Sequence, residues 1–569
     1  MEKKKFMTID GMPVEINGES NLLELIRKAG IKLPTFCYHS ELSVYGACRM
    51  CMVENERGML MAACSTAPRE GMEIHTNTER LRRYRKNILE LLLANHCRDC
   101  TTCEKSEHCR LKELARRFYI EDVRFPNGKT EPQKDESSVS ISIDKSKCIL
   151  CGDCVRMCNE VQQVGAIAFS GRGSHMEVST AFKVPIAETQ CVGCGQCTSV
   201  CPTGAIVIQK NVDRVWAAIH DPDTYVVAQV APAVRVGVSR ELGEDNGFVA
   251  TGKIFAAMRR MGFNRVFDTT TGADMTVVEE GNEFIERLTN GGKLPLFTSC
   301  CPAWIRYAET RHSELLENIS TCRSPMQMFG SVIKEHYDNE SGLKGKKIFS
   351  IAVMPCTAKK FEAIRPEFRR PDGSDTIDAV LTTQELVQMI REAGIRFDEI
   401  QPESPSMPFG GTSGAGVIFG VTGGVTEAVL RYANSDKTYS SLREIAQSGV
   451  RGLEGVKEMV YDLGDQQLKI AMVSGLGNAE KLIQKIQSGE ADYQLVEVMA
   501  CPNGCVSGGG QPFAHAEEKV ARAENLYRTD DLTQIKRSEE NPVLGELYAR
   551  YIGDRAHELL HVHYHPKKN

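Results

Sequence analysis

The spacing of apolar and polar residues along the chain changes near residue 210. Before it, FMTIDGMPVEI (residues 6–16) predicts a hairpin of short strands, and SNLLELIRKAG (20–30) predicts an amphipathic helix that ends at Gly30. After it, apolar runs such as TYVVAQVAP (224–232) and KKIFSIAVMP (346–355) alternate with helical patterns. This alternation predicts βαβ units and a parallel sheet in the second half of the chain.

The length of the chain predicts several domains, because 569 residues exceed what one hydrophobic core usually serves. The polar, breaker-rich stretch NGKTEPQKDESS (127–138) predicts a linker in the first half. The net charge of −6 gives no reason to expect nucleic-acid binding.

The apolar segments and the cysteines also indicate where the protein works. The N-terminal residues lack the apolar run of a signal peptide, and no stretch is long and apolar enough for a membrane helix, so we expect neither secretion nor a membrane span. The chain contains 22 cysteines. In a cytoplasmic protein without a secretory signal, such cysteines are expected to bind metal rather than to form disulfides.

Three cysteine motifs follow strand-like runs in the second half: KLPLFTSCCPAW, KKIFSIAVMPCTAKKFE and YQLVEVMACPNGCVSGGGQP. Their cysteines are Cys300 and Cys301, Cys356, and Cys501 and Cys505. A strand that ends in a cysteine loop places a thiolate at the carboxyl edge of a sheet, where open α/β folds bind their ligands. If the three edges converge, four thiolates could hold one iron–sulfur cluster with Cys300 beside it.

The first group of cysteines in the N-terminal half is Cys37, Cys48, Cys51 and Cys64. Strands, one helix and a cysteine-rich loop predict a β-grasp ferredoxin module that holds a 2Fe–2S cluster. The spacing departs from the plant-type C-x4-C-x2-C pattern. It resembles instead the N-terminal module of the large iron–sulfur subunit of NADH dehydrogenases. A zinc site is the alternative, although zinc sites favour two short cysteine pairs.

The second group, HCRDCTTCEKSEHC, begins at His96. His96, Cys100, Cys103 and Cys109 match a 4Fe–4S site with one histidine and three cysteine ligands in the same dehydrogenase subunits. An imidazole in place of a thiolate removes one negative charge from the cluster and generally raises its potential. Taken alone, His96 would be an ordinary structural histidine. Cys97 is expected to be a bystander, because its side chain should point away from that of His96.

Two regular cysteine runs, CILCGDCVRMC and CVGCGQCTSVCP, complete the first half. Each has the spacing C-x2-C-x2-C-x3-C, which is typical of two-cluster bacterial ferredoxins, where the fourth cysteine of each run ligates the other cluster. The pattern therefore predicts two 4Fe–4S clusters. The expected ligand sets are Cys148, Cys151, Cys154 and Cys201 for one cluster, and Cys191, Cys194, Cys197 and Cys158 for the other.

The three motifs of the second half match the signature motifs of iron-only (FeFe) hydrogenases nearly residue for residue, and the chain resembles this family along essentially its whole length. The family carries an H-cluster, in which a 4Fe–4S cubane shares one cysteine sulfur with a two-iron unit that bears CO, cyanide and an azadithiolate. The resemblance implies that Cys301, Cys356, Cys501 and Cys505 hold the cubane, with Cys505 as the bridge. Cys300 would be the thiol that exchanges protons with the azadithiolate amine.

The resemblance also implies the residues of the H-cluster pocket. Lys359 would donate a hydrogen bond to a cyanide ligand, an anionic acceptor in a dry site. Read without the resemblance, Lys359 would be a solvated surface lysine, and Lys360 is expected to be one. The other pocket residues expected by position are Ala231, Pro232, Met354, Phe419 and Met499. Two positions depart from the clostridial members: Ala233 stands where those usually carry serine, and Met326 where they often carry glutamine. These departures concern the tuning of the cofactor and leave its identity unchanged.

A proton route is implied in the same way. Glu280 and Glu283, three residues apart on a predicted helix, and Ser320 match the family's path from Cys300. From spacing alone, Glu283 and Arg287 would be an ordinary helical ion pair at the surface. A carboxyl group buried along such a path would have a raised pKa and could exchange a proton near neutral pH.

Together these features predict a multidomain chain of α/β and α+β type. The predicted domains are 1–78 (β-grasp 2Fe–2S ferredoxin), 79–125 (histidine-ligated 4Fe–4S module), 138–210 (two-cluster bacterial ferredoxin), 211–525 (α/β hydrogenase domain) and 526–569 (small C-terminal segment). The expected cofactors are the H-cluster, three accessory 4Fe–4S clusters and one 2Fe–2S cluster.

Two other patterns carry less weight. In LKIAMVSGLGNAEKLI, Glu480 stands where a dinucleotide motif needs its third glycine, so we expect neither NAD nor flavin in this chain. In the C-terminal HELLHVHYHPKKN, His561, His563 and His565 could chelate a metal, although a solvated tail is the expectation.

We therefore expect an enzyme that interconverts dihydrogen with protons and electrons. The alternatives are a non-catalytic iron–sulfur assembly relative, which would lack the full motif set, and a hydrogen sensor, which would carry a signalling domain. Electrons would pass to a flavin- and NAD(P)-binding subunit with a small 2Fe–2S subunit, in a complex that could bifurcate electrons, or to soluble ferredoxin from a stand-alone enzyme. Ala233, Met326 and the PESPSMPFGGTSGAG stretch favour the multi-subunit type. Maturation enzymes would build the two-iron unit.

Overall fold

The computed structural model describes residues 4–125, 134–244, 247–464 and 466–567. Residues 127–133 of the predicted linker lie outside these ranges. The chain forms two compact units, of which the first comprises Met1–Val161, Gly165–Thr189 and Val200–Val207, and the second comprises Gln162–Val164, Gln190–Ser199 and Ile208–Asn569. Among the helices of the described ranges, none has both the length and the apolar character needed to cross a bilayer.

The N-terminal part of the first unit is a five-stranded sheet packed against one helix. In spatial order its strands are Met12–Ile16, Lys5–Ile9, Glu73–His75, Met52–Asn55 and Leu60–Ala62. The predicted hairpin is confirmed, because the first two of these strands pair antiparallel. The predicted helix is confirmed as Leu22–Lys28, where the Asn21 side chain accepts a hydrogen bond from the Glu24 N–H and caps the helix.

The rest of the first unit consists of short elements that leave most of the cysteines in loops. Its helices include Glu79–Ala94, Arg110–Arg117 and Asp153–Arg156. The strands Ile206–Ile208, Ile141–Asp144 and Lys134–Asp135 form a three-stranded sheet in that order, and Ala168–Ser170 pairs with Glu177–Ser179. Because metal-ligating cysteines must turn several sulfurs toward one point, loops between short elements suit them better than long regular structure.

The second unit contains two four-stranded sheets. The first sheet is fully parallel, with the order Arg265–Asp268, Thr224–Val230, Lys347–Met354 and Ala379–Thr382. The second has the order Leu296–Phe297, Leu495–Met499, Gln466–Ser474 and Val456–Leu463, and only its last strand runs antiparallel. The predicted strands are confirmed, but they belong to two sheets rather than one. Apolar runs show that a strand is buried without indicating which strand it pairs with.

Helices cover the faces of both sheets. Their bounds are Val212–His220, Pro232–Glu241, Gly247–Arg260, Thr270–Asn290, Pro302–Arg311, Pro325–Asp338, Ala358–Ala363, Thr383–Glu392, Gly414–Val417, Gly424–Ala433, Tyr439–Ile445, Leu476–Gln487, Ala516–Leu532, Pro542–Leu547 and Ala556–Leu560. The longest, Thr270–Asn290, buries Ala273, Val277 and Phe284 against the second sheet. Burial of such side chains is the main stabilising contribution to a domain of this kind.

The C-terminal residues are held to the rest of the second unit by buried charges and by backbone hydrogen bonds. Asp530, on the helix Ala516–Leu532, accepts hydrogen bonds from Arg431 at 2.7 Å and from Arg451 at 2.7 Å. Removing one partner of a buried ion pair generally costs 3–5 kcal/mol. Near the end of the chain, the N–H of Val562 donates to the Thr321 carbonyl over 2.7 Å.

Candidate functional site

The three cysteine motifs of the second unit meet around one cavity. Cys301 caps the helix Pro302–Arg311, and Cys356 lies between a strand of the first sheet and the helix Ala358–Ala363. Cys501 and Cys505 follow the strand Leu495–Met499 of the second sheet. All three motifs therefore present their cysteines from the carboxyl ends of strands, and both sheets contribute.

The cavity has a volume of about 90 Å³ and mostly apolar walls. It is lined by the cysteines Cys300, Cys301, Cys356, Cys501 and Cys505. The pocket residues expected by position also line it, namely Ala231, Pro232, Met354, Lys359, Phe419 and Met499. The departures Ala233 and Met326 are part of the same wall. The structure thus brings together every residue that the sequence assigned to this pocket.

Glycines let the cysteine loops approach each other closely. Gly504 has a φ of +87°, and a Cβ there would lie 2.6 Å from the backbone nitrogen of Thr422. A Cβ on Gly508 would lie 2.1 Å from the carbonyl oxygen of Pro355, in the second motif. Both positions therefore require glycine: a side chain at Gly508 would push the second and third motifs apart, and one at Gly504 would meet the backbone of Thr422.

Lys359 is the cation of the cavity. Its ammonium donates a hydrogen bond to the Cys300 carbonyl over 3.2 Å and lies 2.6 Å from the Glu362 carboxylate. Burial acts to lower the pKa of Lys359, but the Glu362 carboxylate outweighs it and raises this pKa, so the side chain stays charged. Glu362 was not predicted from the sequence, although its i,i+3 spacing from Lys359 is the signal that indicates a Lys359–Glu362 ion pair.

The expectation that Lys360 is a solvated lysine is wrong. Its side chain is 1% exposed, and its ammonium lies 2.9 Å from the Glu385 carboxylate and donates to the Val380 carbonyl. The physical reason is that the helix Ala358–Ala363 packs against the strand Ala379–Thr382, which turns Lys360 toward the interior.

The predicted proton-route residues form a connected set beside Cys300. The pKa of the Cys300 thiol is raised by burial and by the nearby Glu280 carboxylate. Burial and the neighbouring Glu283 raise the pKa of Glu280 to about 8, while its interaction with the Ser320 side chain and the hydrogen bond from the Ser299 N–H act to lower it. The Ser320 hydroxyl donates to Glu283 over 3.0 Å, and Glu283 lies 2.6 Å from the Arg287 guanidinium. The helical ion pair expected from spacing, Glu283 with Arg287, is therefore present. Glu280 is not at the surface, because its side chain is fully buried.

A group of polar residues at the outer end of this set was missed by the sequence analysis. The Thr321 hydroxyl lies 3.1 Å from Glu283 and 2.9 Å from His561 Nδ1. His561 Nε2 lies 3.1 Å from the Glu279 carboxylate, which also accepts a hydrogen bond from Tyr548. The expectation of a solvated tail is therefore wrong for His561. Its position could not be read from the sequence, because about 240 residues separate it from its partners.

The structure also places His563 and His565 in the tail, where both are exposed, as the sequence analysis expected.

In the first unit, the cysteines of the first group lie in contact. The Cys48 N–H donates to Cys37 Sγ over 3.3 Å, and the Phe36 N–H donates to Cys48 Sγ over 3.4 Å. Cys51 and Cys64 are buried in the same hydrophobic cluster. Backbone N–H groups aimed at sulfur are a feature of iron–sulfur sites.

The second group contains a buried histidine and three cysteines that lie near one another. His96 Nε2 is buried and has no hydrogen-bond partner in the described part of the chain. The pKa of the Cys109 thiol is raised by burial and by the nearby Cys103 and Cys100. A buried imidazole nitrogen without a hydrogen-bond partner is free to serve as a metal ligand, as the motif predicts for His96.

The cysteine runs show two further arrangements. A cavity of about 20 Å³ in the first unit is lined by Cys148, Cys151, Cys154 and Cys201. In the second unit, the segment 190–199 that carries Cys191, Cys194 and Cys197 lies against the motifs of the large cavity. The Gln196 amide donates to the Ser507 carbonyl over 3.0 Å, and the Thr357 hydroxyl donates to the Gly193 carbonyl over 2.7 Å.

Comparison with protein families agrees with this geometry. Residues 224–509 match the family of the iron only hydrogenase large subunit, C-terminal domain. The other matches are a 2Fe-2S iron-sulfur cluster binding domain (6–79), the NADH-ubiquinone oxidoreductase-G iron-sulfur binding region (85–124), a 4Fe-4S dicluster domain (147–205) and the iron hydrogenase small subunit (516–567).

Individual relatives extend over nearly the whole chain. The NADP-reducing hydrogenase subunit HndD of Solidesulfovibrio fructosivorans is 40% identical and covers 98% of this chain and 98% of its own length. Iron hydrogenase 1 of Clostridium pasteurianum is 37% identical over 98% of this chain and 100% of its own. A solved variant of FeFe-hydrogenase HydA1 from Chlamydomonas reinhardtii covers 63% of this chain and 99% of its own, with 37% identity and a TM-score of 0.54. The chain therefore belongs to the iron-only hydrogenases, oxidoreductases that act on hydrogen.

Proposed function

We propose that this chain oxidises dihydrogen and reduces protons at the cavity of the three cysteine motifs, and that its N-terminal iron–sulfur clusters relay the electrons to a partner subunit. The observation that carries the proposal is the set of five cysteines and one charged lysine around a single, largely apolar cavity. Membership of the iron-only hydrogenases establishes the activity on hydrogen. The cluster ligands, the number of clusters and the partner subunit are proposed.

Cys301, Cys356, Cys501 and Cys505 are proposed to hold the cubane, with Cys505 as the bridge to the two-iron unit. The residues present suit this group, because thiolates are the usual ligands of iron–sulfur clusters. The Ala500 N–H donates to Cys301 Sγ over 3.4 Å, the kind of contact that orients a ligating sulfur. When bound, the group supplies the iron site at which dihydrogen is formed or split.

The chain's own side chains then shape the environment of that group. Lys359 offers a fixed positive charge to an anionic ligand, and Met354, Met499 and Phe419 exclude water from it. Neither Ala233 nor Met326 presents a strong hydrogen-bond donor to the cavity. Lys359 therefore carries a larger share of the polar recognition here than it would in relatives with serine and glutamine at those positions.

Protons are proposed to move along Cys300, Glu280, Ser320 and Glu283. The raised pKa of Glu280 keeps this carboxyl group protonated at neutral pH, so it can give a proton to the Cys300 sulfur and take one back. The Ser320 hydroxyl passes the proton between the two carboxyl groups. Arg287 holds Glu283 at the outer end of the route.

Electrons are proposed to travel through four accessory clusters. The proposed ligands are Cys37, Cys48, Cys51 and Cys64 for the 2Fe–2S cluster, and His96, Cys100, Cys103 and Cys109 for the histidine-ligated 4Fe–4S cluster. The two ferredoxin-type clusters keep the ligand sets given by their motifs, Cys148, Cys151, Cys154 and Cys201, and Cys191, Cys194, Cys197 and Cys158. The contacts of Gln196 and Thr357 support the Cys191–Cys197 segment as the last relay before the active site. We propose the domain boundaries of the sequence analysis together with these assignments.

The proposed partner is a flavin- and NAD(P)-binding subunit, together with a small 2Fe–2S subunit. Two observations support this choice: the relative HndD is named as a subunit of an NADP-reducing hydrogenase, and residues 85–124 match a region of an NADH-ubiquinone oxidoreductase subunit. The second candidate is a stand-alone enzyme that exchanges electrons with soluble ferredoxin. Electron bifurcation is proposed only for the complex with the flavin- and NAD(P)-binding subunit.

Reconstitution tests the partner. The matured chain alone should oxidise hydrogen with artificial dyes but should not reduce NAD(P)⁺ until the partner subunits and flavin are added. Purification from the native source tests the alternative. If the chain is isolated as a lone polypeptide that is fully active with ferredoxin, the stand-alone enzyme is favoured.

Spectroscopy tests the cofactors. Matured protein should contain about 20 iron atoms per chain and show infrared bands of CO and cyanide, whereas protein made without the maturation enzymes should contain about 18 and be inactive. Cys505→Ala should retain the accessory clusters and lose the CO and cyanide bands. Absence of these bands from matured wild-type protein would contradict the assignment of the cavity.

A further inference from the structure

We propose that Glu283, Cys322 and His561 form a binding site for a divalent transition-metal ion, with Zn²⁺ as the best match, and that metal bound there blocks the proton route at its outer end. The proposal starts from geometry: one ligand atom from each of the three residues lies within 4.8 Å of the other two. The three residues come from a helix, a loop and the C-terminal segment, which the fold brings together.

The donor set is suited to zinc. Thiolate, imidazole and carboxylate are the three protein ligands that Zn²⁺ uses, and sites with three protein ligands leave a fourth position to an oxygen atom. Here the Thr321 hydroxyl, 2.9 Å from His561 Nδ1, or a water molecule can supply that oxygen. A zinc ion with one thiolate, one carboxylate and a neutral imidazole has no net charge, so the partly buried position does not carry the penalty of an isolated ion.

The surroundings of His561 support a ligand role independently. Its Nδ1 lies 2.9 Å from the Thr321 hydroxyl, while its Nε2 lies 3.1 Å from the Glu279 carboxylate. Metal-ligating histidines typically donate their second ring N–H to such a carboxylate, which fixes the ring and strengthens the ligand. Glu279 is itself held by Tyr548. The arrangement therefore provides a carboxylate–histidine pair aimed at the proposed site.

The exposure of the three side chains determines how a metal ion would reach them. The side chains of Glu283 and His561 are 13% and 14% exposed, whereas Cys322 is fully buried, so metal would arrive from the oxygen and nitrogen side. The Cys322 thiol, 4.0 Å from Glu283 Oε2, would release its proton on binding. Glu283 can keep its Oε1 contact with Arg287 while Oε2 turns to the metal.

The inhibition rests on the proposed proton route, although the binding does not. A carboxylate oxygen bound to a metal ion no longer takes up a proton near neutral pH. With Glu283 occupied, the step between Ser320 and the surface would be interrupted. Hydrogen oxidation and proton reduction should therefore both slow, because the same protons pass in opposite directions.

The test uses matured holoenzyme with added zinc sulfate. We expect one zinc ion per chain, a zinc X-ray absorption spectrum with sulfur near 2.3 Å and nitrogen or oxygen near 2.0–2.1 Å, and inhibition that EDTA reverses. Iron content and the CO and cyanide bands should not change. Because zinc and iron absorb at different X-ray edges, the iron–sulfur clusters do not obscure the measurement.

Variants separate this site from other effects of zinc. His561→Ala and Cys322→Ala should retain the basal activity and require at least roughly tenfold more zinc for the same inhibition. The matched control is His563→Ala, which removes an exposed histidine two residues away and should leave zinc sensitivity unchanged.

Two results would count against the proposal. Equal inhibition of all three variants, or a zinc spectrum without sulfur, would overturn the site. Zinc bound with the expected spectrum but without inhibition would retain the site and overturn the blocking, which would place the proton route elsewhere than Glu283.

Discussion

The Ser320 hydroxyl donates a hydrogen bond to the Glu283 carboxylate over 3.0 Å and also contacts Glu280, so one hydroxyl connects two carboxyl groups of the helix Thr270–Asn290. Ser320→Ala should lower turnover by roughly 100-fold or more, because the proton loses its bridge. Thr321→Ala is the matched control: its hydroxyl contacts Glu283 but not Glu280, and most activity should remain. Equal losses in both variants would argue against Ser320 as the bridge. Hydrogen evolution with a reduced dye measures the difference.

Cys300 lines the cavity and is the thiol proposed to exchange protons with Glu280. Cys300→Ala should retain the CO and cyanide infrared bands after maturation and lose roughly 100- to 10,000-fold in turnover, since a methyl group cannot exchange protons. Cys322→Ala removes another buried thiol that does not line the cavity, and it should retain its activity. Full activity of the Cys300 variant would show that protons enter by another path.

Glu280 should make stability depend on pH. In the unfolded chain this carboxyl group ionises near pH 4.5, whereas in the folded chain its pKa is about 8. Its stabilising effect is therefore complete below about pH 4.5 and is lost as pH rises to about 8. Relative to Glu280→Gln, the wild-type melting temperature should fall over this range and level off above it.

The control for this measurement is Glu286→Gln, an exposed residue on the same helix, which should show no such trend. A constant difference between wild type and Glu280→Gln at all pH values would contradict the raised pKa. Circular dichroism under anaerobic conditions provides the melting temperatures.

Lys359 and Lys360 are adjacent, and each forms a buried ion pair, but only Lys359 lines the cavity. Replacement of either by methionine leaves a buried glutamate unpaired and should cost about 3–5 kcal/mol of stability. Only Lys359→Met should in addition lose the CO and cyanide bands after maturation. If Lys360→Met loses the bands as well, the loss in Lys359→Met is explained by lower stability and not by a lost contact with the cofactor.

The sequence predicted the cavity better than it predicted the surroundings of the cavity. Cysteine spacing depends on local chain geometry, so the residues of the three motifs could be assigned to one pocket from their patterns and from the family resemblance. Lys360 could not be assigned, because its burial depends on the strand Ala379–Thr382, which packs against its helix.

The same limit applies to His561 and to the division into two sheets. His561 reaches Thr321 only through the docking of the C-terminal segment, and no local pattern encodes that contact. Both the strand Lys347–Met354 and the strand Gln466–Ser474 are apolar runs of similar character, yet they pair in different sheets. Pairing is decided by side chains far apart in sequence.

The docking of the C-terminal residues, through Asp530 and Val562, has a consequence for biosynthesis. Ribosomes release a chain from its N-terminus onward, so every cysteine proposed to ligate iron emerges before the residues that cover Arg431 and Thr321. Those residues can dock only after all the cysteine motifs have been translated. The newly made protein therefore passes through a stage in which its cysteines have left the ribosome while the contacts of Asp530 and Val562 have not yet formed.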